Sequence, residues 1–459
     1  MGAINSVEVE ETKEVVNDIN EETVMSEEIK DNKPEEIQDA KLAALKAKLA
    51  EKNNGEKMSP ARIIETPKRS INLGVVGTGA GGGRLAECFY NLGYKAVILN
   101  TAQQDLEHIK LPEENKLLLN FGPGGSAKEL SIGNAAILEH KEQVNELIST
   151  KLGDCDTFLL CTSLGGGSGA GSIASLCEVV STYGRGVCVL CALPGASEDS
   201  KTKDNALKTL SQLSELAKNK VINNLIIVDN AKIETAFSDV GMLDFFTVAN
   251  AATVEVIDVF NTLSQQPSSV KSLDPNEFFK LFIDGNGCSV FGKTIVTNYT
   301  EDTAIAESVI SNLSDNLLAA NFNLKTSRYC GVIISANSKV WSQIPAASVN
   351  YAMSMISDLC NIQDSFKGIY TVESDDDFVK VYSFFSGLGL PTERVEQLKK
   401  ESKEHTIKSK AKDEERNLNL KIETGEDSSV SAAEKIKQKI AQKSSVFGKI
   451  NKNIIDRRK

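Results

Sequence analysis

The chain has 459 residues, 41% of them hydrophobic and 25% charged, with a formal net charge of -12. That length and composition support a sizeable core and two or three domains. No apolar run approaches the roughly 20 residues that span a bilayer, and the acidic start lacks the basic-then-apolar layout of a signal peptide, so a cytoplasmic location is expected. Nine cysteines lie mostly in apolar runs beside only three histidines. This spacing offers no zinc-like cluster, and Cys188 and Cys191 read as small buried side chains.

Residues 1–69 are polar and acidic and read as a disordered extension. From Ile71 the texture changes. Apolar runs at 71–76, 95–99, 116–119, 156–162, 186–193 and 224–228 read as buried strands, and the stretches between them are long enough for crossover helices. The expected fold is α/β, a mainly parallel sheet with helices on both faces and ligands bound beyond the C-terminal strand ends. This unit is assigned to residues 70–244, and a long central helix to 245–264. A second, smaller α/β domain follows at 265–390, and a Lys/Glu-rich linker with a basic tail at 391–459.

Three glycine-rich segments follow strands of the first unit. Gly77 to Gly83 fits a dinucleotide fingerprint through Gly77, Gly79 and Gly82, but Asn100-Thr101-Ala102 stands where that motif needs a ribose-binding acid. A second motif, Gly287 to Thr294, matches a P-loop letter for letter in reversed context, with a helical stretch before it and the β-branched run 294–297 after it. It reads as a turn into a strand. The segments Gly122-Pro123-Gly124-Gly125-Ser126 and Gly165 to Ser172 complete a set of bare-backbone loops at one sheet edge, suited to a polyphosphate.

Gly165 to Gly171 is similar to the signature loop G-G-G-[ST]-G-[ST]-G of the tubulin and FtsZ GTPases, with Ala170 for the second hydroxyl residue. The resemblance covers roughly residues 70–390. It implies that Gly79, Ala80, Gly81, Gly82, Gly83 and Arg84 form a first phosphate loop, with Arg84 replacing asparagine and able to contact phosphate. Gly124, Gly125 and Gly166, Gly167, Ser168, Gly169, Ala170 and Gly171 would complete the cradle. Glu198 falls on the sugar-edge glutamate, and Thr202 on an arginine for which the adjacent Lys203 is a candidate substitute. Asn230 lies in a P-N-D-R-like segment; Phe246 would stack on the base and Asn250 read it, although Ala251 replaces a guanine-binding aspartate. The implied cofactors are GTP/GDP and Mg²⁺ held through the phosphates.

The glycine loops supply no group to activate water. The resemblance implies that a neighbouring subunit provides it, through Ser272-Leu-Asp274-Pro-Asn-Glu277, with Asp274 and Glu277 as catalytic carboxylates. The same residues also read as a capping box on a helix starting at Pro275. The implied function is a head-to-tail polymerising GTPase serving cell division or DNA positioning. Its rivals are a nucleotide-binding module that neither assembles nor hydrolyses, favoured by Ala102, Thr202, Ala251 and Ser272, and a dinucleotide-dependent enzyme. The basic end, with Val446, Phe447, Ile450, Ile454 and Ile455 at helical spacing, suits an adaptor protein, a nucleic-acid complex or an anionic membrane.

Overall fold

The computed structural model describes residues 67–241, 244–314, 322–360 and 364–419. Nearly all of the acidic extension, and the basic segment 430–459, lie outside the described residues. Unalternating apolar runs form strands buried on both faces. These are β1 (Leu73–Thr78), β2 (Lys95–Asn100), β3 (Lys116–Leu118), β4 (Thr157–Ser163), β5 (Gly186–Leu193) and β6 (Asn224–Asp229), all paired in parallel in the order β3-β2-β1-β4-β5-β6. The connections carry α1 (Gly79–Asn91), α2 (Gln103–Glu107), α3 (Leu130–Glu139), α4 (Lys141–Leu152), α5 (Ser168–Ser181), α6 (Ser200–Lys218) and α7 (Asn230–Ala236).

The long helix α8 (Phe245–Leu263) leads to α9 (Pro275–Phe282), β7 (Gly287–Val296), α10 (Ala304–Ser314), β8 (Tyr329–Ala336), α11 (Ser338–Trp341), α12 (Ala346–Cys360), β9 (Asp364–Thr371) and β10 (Val379–Leu388). These strands extend the same sheet. Strand β7 pairs in parallel with β6, β10 lies antiparallel between β7 and β8, and β9 closes the edge beside β8, making ten strands. Alternate residues feed two cores. Phe158 and Leu160 of β4 face α4, α5 and α6, while Leu159 and Cys161 face α1 and α8; both cores continue across to β10 through Val381 and Phe385 on one face and Tyr382 and Phe384 on the other.

Two side chains fix α8 against the first strands. The buried Asn261 amide accepts from Ile71 N at 2.8 Å and donates to Ile71 O at 2.9 Å, standing in for a strand partner. Asp258 takes the Tyr94 hydroxyl at 2.9 Å and pairs with Arg69 at 3.3 Å, so the chain is already docked at the last residue assigned to the extension. The P-loop look-alike is wholly strand. Gly292 pairs with Ser383, and Lys293 is held by both Glu255 oxygens at 2.8 and 2.7 Å, with no helix after it to aim amides at a phosphate.

The segment read as a linker begins instead with a long helix, α13 (Thr392–Asn419). Leu398 is buried, and Arg394, only 2% exposed, bonds Asp229 at 2.6 and 3.3 Å and the Pro194 carbonyl at 3.3 Å. Glu401 pairs with buried Lys203 at 2.9 Å and with Arg394 at 3.4 Å. Two cations and two carboxylates thus meet in balance, and Lys/Glu composition conceals a helix anchored on one side.

Removing one member of a buried pair strands the other's charge. Arg394→Ala is therefore expected to cost about 3–5 kcal/mol, read as a lower urea midpoint. A second expectation concerns acid. Burial opposes ionisation of Glu255, but the Lys293 ammonium and the Tyr382 hydroxyl outweigh it and hold the carboxyl below the usual range. A lowered folded value contributes stability above about pH 4 that is lost as pH falls further. Urea midpoints taken from pH 6 to pH 3 should fall, and less steeply in Glu255→Gln, which starts from a lower midpoint at pH 7.

Candidate functional site

The parallel strands bring their C-terminal ends, and the glycine segments that follow them, to one edge. The helices α1, α3 and α5 start there without a side-chain cap and without an acid in the first turn. By contrast, α6 is capped by Asp199 and α7 by Asp229. Uncapped first turns leave amide N–H groups available, and the helix dipole favours an anion beside them.

Hydroxyls sew the loops together. Thr78 bonds Ser172 at 2.7 Å; Ser168, the first residue of α5, bonds Thr101 after β2 and Ser126 of the second glycine segment, the latter at 3.2 Å. Gly125 N donates to Thr101 O at 2.8 Å. The structure therefore brings together Gly79 to Gly83, Gly124, Gly125 and Gly166 to Gly171. Asn205, which no motif marks, donates from one buried amide to the carbonyls of Lys128 at 2.8 Å, Gly165 at 3.2 Å and Gly166 at 3.4 Å.

Most of these glycines are required by packing. A Cβ on Gly169 would lie 2.5 Å from Thr78 O, and one on Gly79, at φ +72°, would lie 2.7 Å from Gly169 N. Gly82 and Gly167 are similarly closed by Cys161 O and Ser126 Oγ. Gly166 differs, because a Cβ there would meet open space. Within the signature loop it is the one glycine whose bare backbone the surrounding packing does not require.

Beside α1, Phe246 and Asn250 occupy one face of α8, four residues apart. Phe246 is 45% exposed, and the Arg84 guanidinium of α1 lies 4.6 Å from its ring centroid. Arg84, expected at phosphate, is thus placed at the aromatic end. Glu198 is half-buried in the loop after β5, and Asn230 half-buried at the start of α7. Thr202 is buried with its methyl beside Gly165, and its hydroxyl meets Asp199 Oδ1 and Lys128 Nζ, each at 2.9 Å. Lys203, the expected substitute for the absent arginine, turns away: its ammonium donates to Ala196 O at 2.8 Å and pairs with Glu401. The Lys128 ammonium beside Asp199 holds that carboxyl down at about 2.

Asp274 and Glu277 are not brought to the glycine loops. They form a complete capping box on α9, with Glu277 N donating to Asp274 Oδ1 at 2.9 Å and Asp274 N to Glu277 Oε2 at 3.0 Å. Helix α9 ends where Phe282 O accepts from Asn224, the first residue of β6, and so lies at the opposite end of the strands. The 19-residue α8, about 28 Å long, runs between the two ends. Among the described residues no group of three or more His, Cys, Asp and Glu side chains is placed to hold a metal, and no helix is long and apolar enough to cross a membrane.

Two alanine substitutions separate ligand contact from packing. Gly166→Ala should leave the unfolding midpoint within about 0.5 kcal/mol of wild type while weakening nucleotide binding. Gly169→Ala, driven into Thr78 O, should lose about 1–3 kcal/mol of stability in urea unfolding.

Comparison with known proteins agrees with this geometry. The GTPase domain of the tubulin/FtsZ family matches residues 72–237, and the C-terminal domain of TubZ-like members matches residues 258–399. The tubulin-like protein CetZ of Pyrococcus horikoshii is 26% identical over 323 residues, 68% of this chain and 85% of its own length. TubZ of Bacillus cereus is 24% identical over 354 residues, 70% of this chain and 80% of its own length. A crystal structure of a GTPγS-form protofilament of Bacillus thuringiensis serovar israelensis TubZ shares the fold at a TM-score of 0.68 and 20% identity, covering 78% of this chain and 96% of that one. The chain belongs to the tubulin/FtsZ family, with the C-terminal domain of its TubZ-like members.

Proposed function

We propose that this chain binds GTP in the glycine-lined cleft, assembles head to tail, and hydrolyses GTP where the Asp274 and Glu277 carboxylates of one subunit meet the cleft of the next. The observation that carries the reading is the separation of its two halves: bare loops without a base at one end of α8, and the exposed Asp274 and half-buried Glu277 carboxylates, held by the capping box, at the other. Neither half is sufficient alone. A solved relative in protofilament form with a GTP analogue supports the same arrangement.

Within the cleft, first-turn amides of α1, α3 and α5 receive the phosphates, Gly166 admits their close approach, and Phe246 offers a ring face to the base. Glu198 and Asn230 flank the sugar. Mg²⁺ held through the phosphates would neutralise charge developing during transfer. In the partner-facing loop, Asp274 or Glu277 orients and deprotonates the attacking water. Service in cell division or in DNA or organelle positioning, and recruitment of an adaptor, nucleic-acid complex or anionic membrane by the basic tail, belong to this proposal. Filamentous use in a cytoplasmic location is its setting.

The capping box favours one alternative, a nucleotide-binding module in which both carboxylates serve only the helix. Asp274→Asn and Glu277→Gln retain capping groups but remove the charge. Under the shared-site reading each variant stays folded, and GTP turnover falls by roughly 10²–10⁴-fold, the worth of a positioned base. Wild-type turnover per molecule rises with protein concentration. Unchanged turnover in both variants would establish the alternative.

A further inference from the structure

Of the three glycine segments, the first is followed directly by Arg84 and the second, two residues on, by Lys128, while the signature loop carries no charge. The exposed Arg84 lies with its guanidinium 4.6 Å from the Phe246 ring centroid. Lys128 lies elsewhere. It follows Ser126 and Ala127 in a turn where two consecutive non-glycine residues take positive φ, 46° at Ala127 and 61° at Lys128. Such a conformation is retained in an L-residue only where the surroundings over-determine it. Here they do: Asn205 fixes the Lys128 carbonyl to the same amide that holds Gly165 and Gly166, and Ser126 packs against Gly167.

The turn directs the Lys128 side chain over the start of α6. Its ammonium reaches Asp199 Oδ2 at 2.6 Å and Thr202 Oγ1 at 2.9 Å, and the Thr202 methyl fills the space beside Gly165. The cation therefore sits one side chain away from the open backbone at Gly166. Its side chain remains 46% exposed and that of Asp199 57% exposed, so the pair is solvated and exchangeable. The neighbouring cations are engaged elsewhere, Lys201 with Glu129 and Lys203 with Glu401.

We propose that Lys128 is a phosphate-contacting residue of the nucleotide cleft, whose ammonium leaves Asp199 for the polyphosphate when a nucleotide enters. The inference rests on the nucleotide-binding reading above and adds a side-chain cation to a cradle otherwise made of amides. A lysine suits the task as a compact point charge with three donors on a flexible stem. Asp199 keeps the ammonium beside the cleft and also caps α6 through Thr202 N.

The test is equilibrium titration of the full chain with mant-GTP and mant-GDP, for wild type, Lys128→Gln, Lys128→Arg and Asp199→Asn, alongside nucleotide-free thermal unfolding. Loss of one charge-assisted hydrogen bond predicts at least about tenfold weaker binding of both nucleotides by Lys128→Gln. Lys128→Arg, retaining the charge, should bind within about threefold of wild type if a phosphate is the partner. Asp199→Asn preserves the cap and withdraws the competing charge, so it should bind at least as tightly as wild type. Wild-type affinity in Lys128→Gln overturns the proposal and leaves the proposed function standing. Equal weakening in Lys128→Gln and Asp199→Asn also overturns it, because the pair would then be structural. Absence of binding by the wild-type chain overturns both readings together.

Discussion

The approach of α5 to the end of β1 is the constraint on which the rest of the cleft depends. Gly79 and Gly169 meet backbone to backbone, with Thr78 and Ser172 bonded beside them, so no side chain can stand between the first and fourth strand loops. Once that contact is fixed, Ser168 falls within reach of Thr101 and Ser126, which draws in the loops after β2 and β3. Amides from three helix starts then converge without a cap to consume them. The convergence of the glycine loops is thus a consequence of helix packing, and their glycines are largely demanded by the fold itself.

The same economy governs the link between the two halves of the chain. Helix α8 is held at its far end by Asn261 on Ile71 and by Asp258 on Arg69 and Tyr94, leaving Phe246 exposed at its near end. Helix α13 returns to the first half through Arg394 and Glu401. Asp229 both caps α7, where Asn230 lies, and receives Arg394, while Lys203 ties the loop bearing Glu198 to Glu401. Two of the residues assigned to the sugar side are therefore positioned by a helix more than 150 residues further along the sequence, and that helix leads toward the basic tail.

Much of the architecture is legible in sequence because buried parallel strands read as uninterrupted apolar runs and glycine loops punctuate their ends. Both motif decoys were also legible, one from the missing acid at Ala102 and one from the strand character of Thr294 to Thr297. Less accessible was α13. Its Lys/Glu-rich surface has low hydropathy, and among the described residues the packing face is marked by the buried Arg394, Leu398 and Ser402, four residues apart, with Val395 beside them. Charge partners were equally hidden. Adjacency in sequence points to Lys203 as the cation beside Thr202, yet on a helix neighbouring residues point to different faces, so Lys203 is buried and the ammonium that reaches Thr202 is that of Lys128, from another loop. Arg84, which the resemblance places where it can contact phosphate, has its guanidinium 4.6 Å from the Phe246 ring centroid.

The capping box bears on how an active site divided between molecules can be reliable. A carboxylate presented to a neighbour must be held before that neighbour arrives, since ordering it at contact would draw on the association energy. Asp274 and Glu277 satisfy each other's backbone N–H groups, and Pro275 fixes the first turn between them. Leu273 just before is buried, its amide donating to the Tyr370 hydroxyl at 2.9 Å. One oxygen of each carboxylate is occupied by the cap, which sets the direction of the group. The local structure that makes these residues unremarkable as a helix start is what would make them competent as a preorganised base, so the capping and the proposed catalytic readings of Asp274 and Glu277 require the same geometry.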